Sequence, residues 1–487
     1  MKNICIYIII IFCPIACNHP VSSPEMVDAW PEIYPDYLGV TIPATIAPMN
    51  FCVKDSACER IDVTVTGGKE GSLHVNDRIL SFPPKAWRAL LESNRGDSLL
   101  FTVAVYHNGR WTQYRPFSMY VSPYPIDYGI VYRKIAPGYE VYSHMGIYER
   151  QLSTFKERAL LENTIVTAMC INCHSFNRTD PSHLSLHIRG EHGATLMQID
   201  GKQEFLNTKT DSTLSACVYP YWHPSGEYIA YSVNDTRQGF HAVKDERIEV
   251  FDLASDIVIY HPATHQLLRT PLLEKKEMLE TFPTFSPDGH KLYFCQARTQ
   301  PIPESYQEIR YNLCSIDFNP QDGTFGDHID TLVNAAAQNK SISFPRPSYD
   351  GKYLMYTLSN YGNFSIWHKE ADLWLLNLAD GSTRTLDEVN SPDTESFHNW
   401  SSNSHWFVFS SRRGDGLYTR LYLSCIDDMG KASKPFLLPQ EEPWTYYDRS
   451  VYSYNVPDFT NQPVSLPLRQ TERGIVSDKR IQIKIRQ

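Results

Sequence analysis

Four near-copies of one short pattern constrain this chain more than any other feature. Tyr219-Pro220-Tyr221-Trp222-His223-Pro224-Ser225-Gly226 runs directly into Glu227-Tyr228-Ile229-Ala230-Tyr231-Ser232. Phe282-Pro283-Thr284-Phe285-Ser286-Pro287-Asp288-Gly289 and Phe344-Pro345-Arg346-Pro347-Ser348-Tyr349-Asp350-Gly351 repeat it, and residues 397–409 hold a degenerate fourth copy. Each has a Pro-Asp-Gly-type turn, or its relic, that drops into an alternating aromatic and aliphatic strand. The turn positions Gly226, Gly289, Gly351 and Ser404 are 63, 62 and 53 residues apart. Another strand-like stretch follows each copy, at residues 247–259, 309–317, 372–378 and 420–426. No such unit can bury its own apolar face, so repetition at a near-constant period predicts sheets packed around an axis, a β-propeller. Composition agrees, because 30 Tyr, 22 Phe and 32 Pro suit many short strands punctuated by turns.

The S-P-D-G-x-x-[IL]-x-[YF] pattern resembles the WD-repeat-like blade of TolB-type propellers, over roughly residues 130–460. A further blade is predicted upstream, where Leu184-Ser185-Leu186-His187-Ile188-Arg189 and Ala194-Thr195-Leu196-Met197-Gln198-Ile199 alternate like blade strands. The expected fold is all-β, with a propeller of five or six blades over residues 164–465. An immunoglobulin-like β-sandwich is expected ahead of it, at residues 27–128, from strand-like stretches at 60–65, 98–105 and 114–121. Residues 129–163 read as a linker ending in a short helix at 154–163, and residues 466–487 as a charged, frayed tail.

Inside the upstream blade lies Cys170-Ile171-Asn172-Cys173-His174. C-x-x-C-H is the attachment sequence of a c-type haem. Two thiols at this spacing can each add to one vinyl group of one porphyrin, and the adjoining His becomes the proximal axial ligand. With 11 Cys and 17 His in 487 residues, chance supplies roughly 0.009 copies of the pattern. A redox dithiol or half of a zinc site are the competing readings, and a zinc site would want a second Cys/His pair of similar spacing. Aligned with the later copies, the motif enters an innermost strand, which would put the haem at one mouth of the central channel. Candidate sixth ligands follow within thirty residues. His192, in a Gly-flanked turn, ranks first, His187 second and Met197 third, with His183 also nearby.

The first twenty residues indicate export. Lys2 precedes an apolar run from Ile4 to Ala16, the h-region of a secretory signal over residues 1–16 and too short to span a bilayer. Pro14-Ile15-Ala16-Cys17 resembles a bacterial lipobox, which implies lipidation of Cys17 and a membrane-anchored protein facing the periplasm or cell surface. Export agrees with the haem motif, since haem c is attached outside the bacterial cytoplasm. Cys52 and Cys58 could close a small disulfide loop in such a compartment. Cys217, Cys295, Cys314 and Cys425 read as packed apolar residues.

Forty-five basic against 55 acidic residues leave no footprint for nucleic acid. No G-x-S-x-G, H-E-x-x-H or P-loop pattern is present, and Asp288 and Asp350 read as turn formers. The chain resembles exported TolB-like propeller proteins of Bacteroidetes-type bacteria, some of which carry one C-x-x-C-H near the first blade. The resemblance implies an envelope lipoprotein with one covalent haem c, working in electron transfer or redox sensing with a redox partner. The alternative is a propeller binding module for an envelope protein or glycan, its C-x-x-C-H carrying no haem. A peroxidase-like enzyme is the remaining reading.

Overall fold

The computed structural model describes residues 21–137, 144–241, 243 and 246–486. The expected signal segment, residues 1–16, and the lipidation candidate Cys17 lie outside these residues. Among the described residues no helix is long and apolar enough to cross a membrane.

The propeller strands fall into six antiparallel groups of four, of which blades II and III are joined in one ten-stranded sheet by the parallel pair Ser255–Leu279. Blade I comprises Met169–Asn177, Asp180–Gly190, Ala194–Ile199 and Lys202–Asn207. Blades II to V begin with innermost strands Cys217–Trp222, Met278–Phe285, Ser341–Pro347 and Glu395–Trp400, which are the four repeat copies. Blade VI joins distant segments. Its innermost strand, Ser453–Thr460, pairs with Gly129–Ile135, which pairs in turn with Gly146–Gln151 and then Glu157–Glu162. Each innermost strand packs against the next, and that of blade VI against that of blade I, so the ring is closed.

The repeat turns explain their residues. Ser286 Oγ donates to Asp288 Oδ1 at 2.5 Å, and Asp288 Oδ1 also accepts from His290 N at 3.1 Å. Ser348 and Asp350 repeat the arrangement at 2.7 Å. Both aspartates are therefore turn formers, as their sequence context suggests. Gly289 follows at φ +79°, and a Cβ there would stand 2.1 Å from His223 Nε2. Glycine meets both the left-handed backbone and the close approach.

Three expectations need correction. The predicted helix at 154–163 is instead a strand, Glu157–Glu162, paired with Gly146–Gln151; edge pairing overrides the helical preference of Glu-Arg-Ala-Leu-Leu-Glu. The linker is thus most of a blade. The tail is not frayed: helix Leu468–Val476 buries Thr471 and Ile475, and Ile481–Gln482 and Lys484–Ile485 add parallel strands to blades I and II. Finally, Cys52 and Cys58 are free thiols, donating to Tyr34 O and Arg60 O at 3.6 Å each.

The N-terminal strands include Arg60–Gly67, Asp97–His107 and Phe117–Ser122, close to the predicted stretches. They belong to one seven-stranded sheet, with a separate two-stranded pair and a helix, Pro84–Ser93, rather than two distinct facing sheets. Strand Asp97–His107 changes partner along one edge, from Phe117–Ser122 to Arg110–Gln113. The core of this region, including Trp87 and Phe101, is continuous with Trp406 and Phe436 of blade V and Phe459 of blade VI.

Candidate functional site: an aromatic collar and two axial cavities

Five innermost strands bulge at one equivalent position, and the residue there has a left-handed backbone: Tyr219, Phe282, Phe344, Phe397 and Val456, with φ between 50° and 53°. Such a conformation costs a non-glycine residue about 1–2 kcal/mol. Contact among the rings offsets part of it. Ring centroids lie 4.6 Å apart for Tyr219–Phe282, 4.1 Å for Phe282–Phe344 and 4.8 Å for Phe344–Phe397, each pair contributing about 0.5–1.5 kcal/mol beyond burial. The result is an aromatic collar around the axis.

In blade I the bulge falls at Asn172-Cys173, between the pairs Ile171–Ile188 and His174–Leu186. The C-x-x-C-H motif therefore puts Asn172 where the other blades put an aromatic residue or Val456, and Cys173 where four of them put proline. The sequence held this signal in the repeated Tyr-Pro and Phe-Pro pairs, which mark the collar as well as a strand start.

Two cavities meet at this level. A vestibule of about 720 Å³ is lined by Arg133, Cys170, Asn172, His187, Arg189 and Tyr219, among others. A chamber of about 90 Å³ is lined by Arg133, Asn172, Cys173, His174, Tyr219, His398 and Asp458. The innermost strand thus carries Cys170 on one cavity and Cys173 with His174 on the other.

His174 is 4% exposed and its ring has no side-chain hydrogen-bond partner among the described residues, the Val131 backbone being its hydrogen-bonding neighbour. Burial, reinforced by Arg133, pushes its pKa down to about 3, so the imidazole is neutral. Burial raises the Cys170 thiol above its ordinary value against the opposing pull of Arg133 and Arg189. His187 lies 3.5 Å from Thr195 Oγ1 by its Nδ1 and is pushed down to about 3 by burial, then by Arg189. Buried Asp458 is pushed up to about 8, while accepting from Phe176 N at 3.2 Å and Asn399 Nδ2 at 2.7 Å.

The other ligand candidates are held elsewhere. His192 Nδ1 lies 2.8 Å from Asp478 Oδ1, and its carbonyl accepts from Arg480, so it is tied to the C-terminal segment. Met197 is packed with Leu206, Cys217 and Trp222 between blades I and II. His183 sits edge-on to Trp222 at 5.4 Å. Of the four, only His187 lines the vestibule.

As arranged, these residues do not fit a porphyrin bonded to both thiols. Cys170 lines a different cavity from Cys173 and His174, so the two thiols do not face one common space. The chamber that holds His174 is well below the ~300 Å³ at which pockets begin to hold drug-sized ligands. Cys170 and Cys173 are both free thiols. Among the described residues no group of three or more His, Cys, Asp or Glu could hold a metal ion.

No family model matches the chain, and no curated protein matches it in sequence. Among solved structures, the chain is similar to TolB from Acinetobacter baumannii at 12% identity and a TM-score of 0.42, covering 74% of this chain and 79% of that one. It is also similar to an oligogalacturonate lyase in complex with manganese, at 12% identity, a TM-score of 0.38, and 63% and 74% coverage. A puromycin-hydrolyzing peptidase from Mycobacterium tuberculosis gives 11% identity, a TM-score of 0.36, and 82% and 57% coverage.

Proposed function

We propose that the protein is an exported binding module whose axial vestibule receives a ligand, or the tip of a partner, from the cell envelope. The vestibule itself carries this reading. It is a concave site of about 720 Å³ that reaches the collar at Tyr219 and is set in a closed ring that fixes its walls. The N-terminal apolar run and Cys17 support an envelope location on a lipid anchor.

The test uses the mature chain and an Ala216→Trp variant, which fills the vestibule from a lining position. Both are applied to arrays of envelope glycans and peptides. Binding by the parent chain that the variant loses supports the reading. Binding that survives in the variant, or no binding by either, overturns it.

A covalent haem c at Cys170 and Cys173 is the second reading. The motif spacing and the buried, neutral imidazole of His174 favour it. It requires the bulged strand to leave its present register, so that both thiols and His174 reach one cavity. Expression with a cytochrome c maturation system followed by a pyridine haemochrome spectrum decides it, and a colourless protein removes it.

A further inference from the structure

The vestibule wall is charged mostly in one sense, although the chain carries a net charge of −10. Arg133, Arg189 and Arg412 line it, against one acid, Asp235. Arg412 is committed, with Nη2 3.5 Å from Asp393 and its guanidinium 4.0 Å over the Trp367 ring. Arg133 and Arg189 are not.

Arg133 projects from blade VI and donates through Nη1 to the Asn172 side-chain oxygen, a neutral partner. Its Nε is buried without any partner. Arg189 stands directly across the strand pair from Cys170, next to the same space. Among the described residues neither guanidinium makes an ion pair. A desolvated charge with no counter-charge is destabilising. Arg189 is exposed and keeps its solvation, so this cost falls on Arg133, whose charged form burial disfavours and the neighbouring Arg189 charge disfavours further. An anion held between the partly unpartnered Arg133 and the solvated Arg189 would supply the charge that Arg133 lacks, and a planar guanidinium suits oxyanions in particular.

The rest of the wall indicates what accompanies that anion. The second and third strands of blade II, Ile229–Phe240 and Ile248–His261, run on past the blade, and Phe240, Ile248 and Val250 from this extension line the vestibule. Phe364 and Trp367 add aromatic surface. One region is cationic and its surroundings are apolar.

We propose that Arg133 and Arg189 form an anion-binding site in the vestibule, taking the carboxylate or phosphate of a small molecule whose apolar part lies against the blade II extension. This rests on the vestibule being a ligand site, and adds the class of ligand. Three probes of similar shape test it by calorimetric titration of the full mature chain: phenylacetate, phenyl phosphate and neutral 2-phenylethanol. At least one anion binds tenfold or more tighter than the alcohol, and which one does so separates carboxylate from phosphate recognition. Arg133→Gln and Arg189→Gln each weaken that anion tenfold or more, and its affinity falls as salt rises.

The melting temperature of the ligand-free protein gives a second readout. An uncompensated charge predicts that Arg133→Gln leaves it unchanged or raised. A fall would make Arg133 a strut for Asn172 and overturn the proposal. So would equal binding of all three probes, no anion binding, or affinities indifferent to both substitutions. If the alcohol binds as well as the anions and Ala216→Trp abolishes this, the vestibule remains a ligand site while its anion specificity is lost.

Discussion

Asp458 offers a quantitative test of the axial architecture. Its carboxyl is 5% exposed in the chamber beside His174, and burial pushes it up to about 8, against the opposing effects of the Phe176 N–H and Arg346. An unfolded chain returns it to about 3.9. Because the folded pKa is the higher one, the folded state binds the extra proton between these values. Stability is greatest below about pH 4, falls as pH rises, and levels off above about pH 8. The slope is about 1.4 kcal/mol per pH unit, which makes the loss between pH 6 and pH 8 about 2 kcal/mol once partial ionisation near the folded pKa is included. Asp458→Asn keeps the shape and removes the titration. Urea unfolding of both proteins at pH 6, 7 and 8 should show the parent losing about 2 kcal/mol more than the variant over this range. Buried Glu280, pushed up to about 8, and Glu395, pushed up to about 7, titrate in the same window. Both lie on other blades and cancel in the comparison. Parallel pH profiles for the two proteins would refute the burial of a neutral carboxyl at this position.

Gly289→Ala should cost about 2 kcal/mol or more, because the new Cβ meets His223 in a backbone that already favours glycine; an unchanged denaturation midpoint would contradict this. Removing residues 466–487 takes away Ile475 and Ile483, at 0% and 1% exposure. Stability should fall by about 3–6 kcal/mol, and a melting temperature equal to that of the full chain would show that the segment contributes nothing. Native alkylation at pH 8, mapped by mass spectrometry, should modify Cys170, which faces the vestibule, before Cys217 and Cys295, both fully buried. Equal labelling rates would contradict the cavity assignment.

Blades II to V were legible because each announces itself with a Pro-Asp-Gly turn or its relic. Blade I was legible from strand alternation at 184–189. Blade VI was not, because its innermost strand comes from residues 453–460 and its other three from residues 129–162, and no local pattern records a pairing across more than 300 positions. Glu157–Glu162 shows the limit of propensity: its residues favour helix, and only the neighbouring Gly146–Gln151 edge makes it a strand. The motif at 170–174 was correctly placed on an innermost strand. Which cavity each side chain faces depends on the bulge at Asn172-Cys173, and a bulge shifts facing without leaving a mark in spacing. His192 ranked ahead of His187 on turn flexibility, yet Asp478, almost 290 residues later, is what holds it.

The seam in blade VI decides when this molecule can exist at all. A chain emerging from its N-terminus presents strand Gly129–Ile135 early, but the strand that stitches it into the circle ends at Thr460. Until then five blades form an open arc with two raw edges, one of them blade I, where Asn172 and the thiols stand. That closing strand also carries Ser453 and Asn455 to the vestibule, so the lining is complete only once it has paired. A permuted chain that opens between blades III and IV, with its natural ends joined, would move the seam while leaving the finished ring the same.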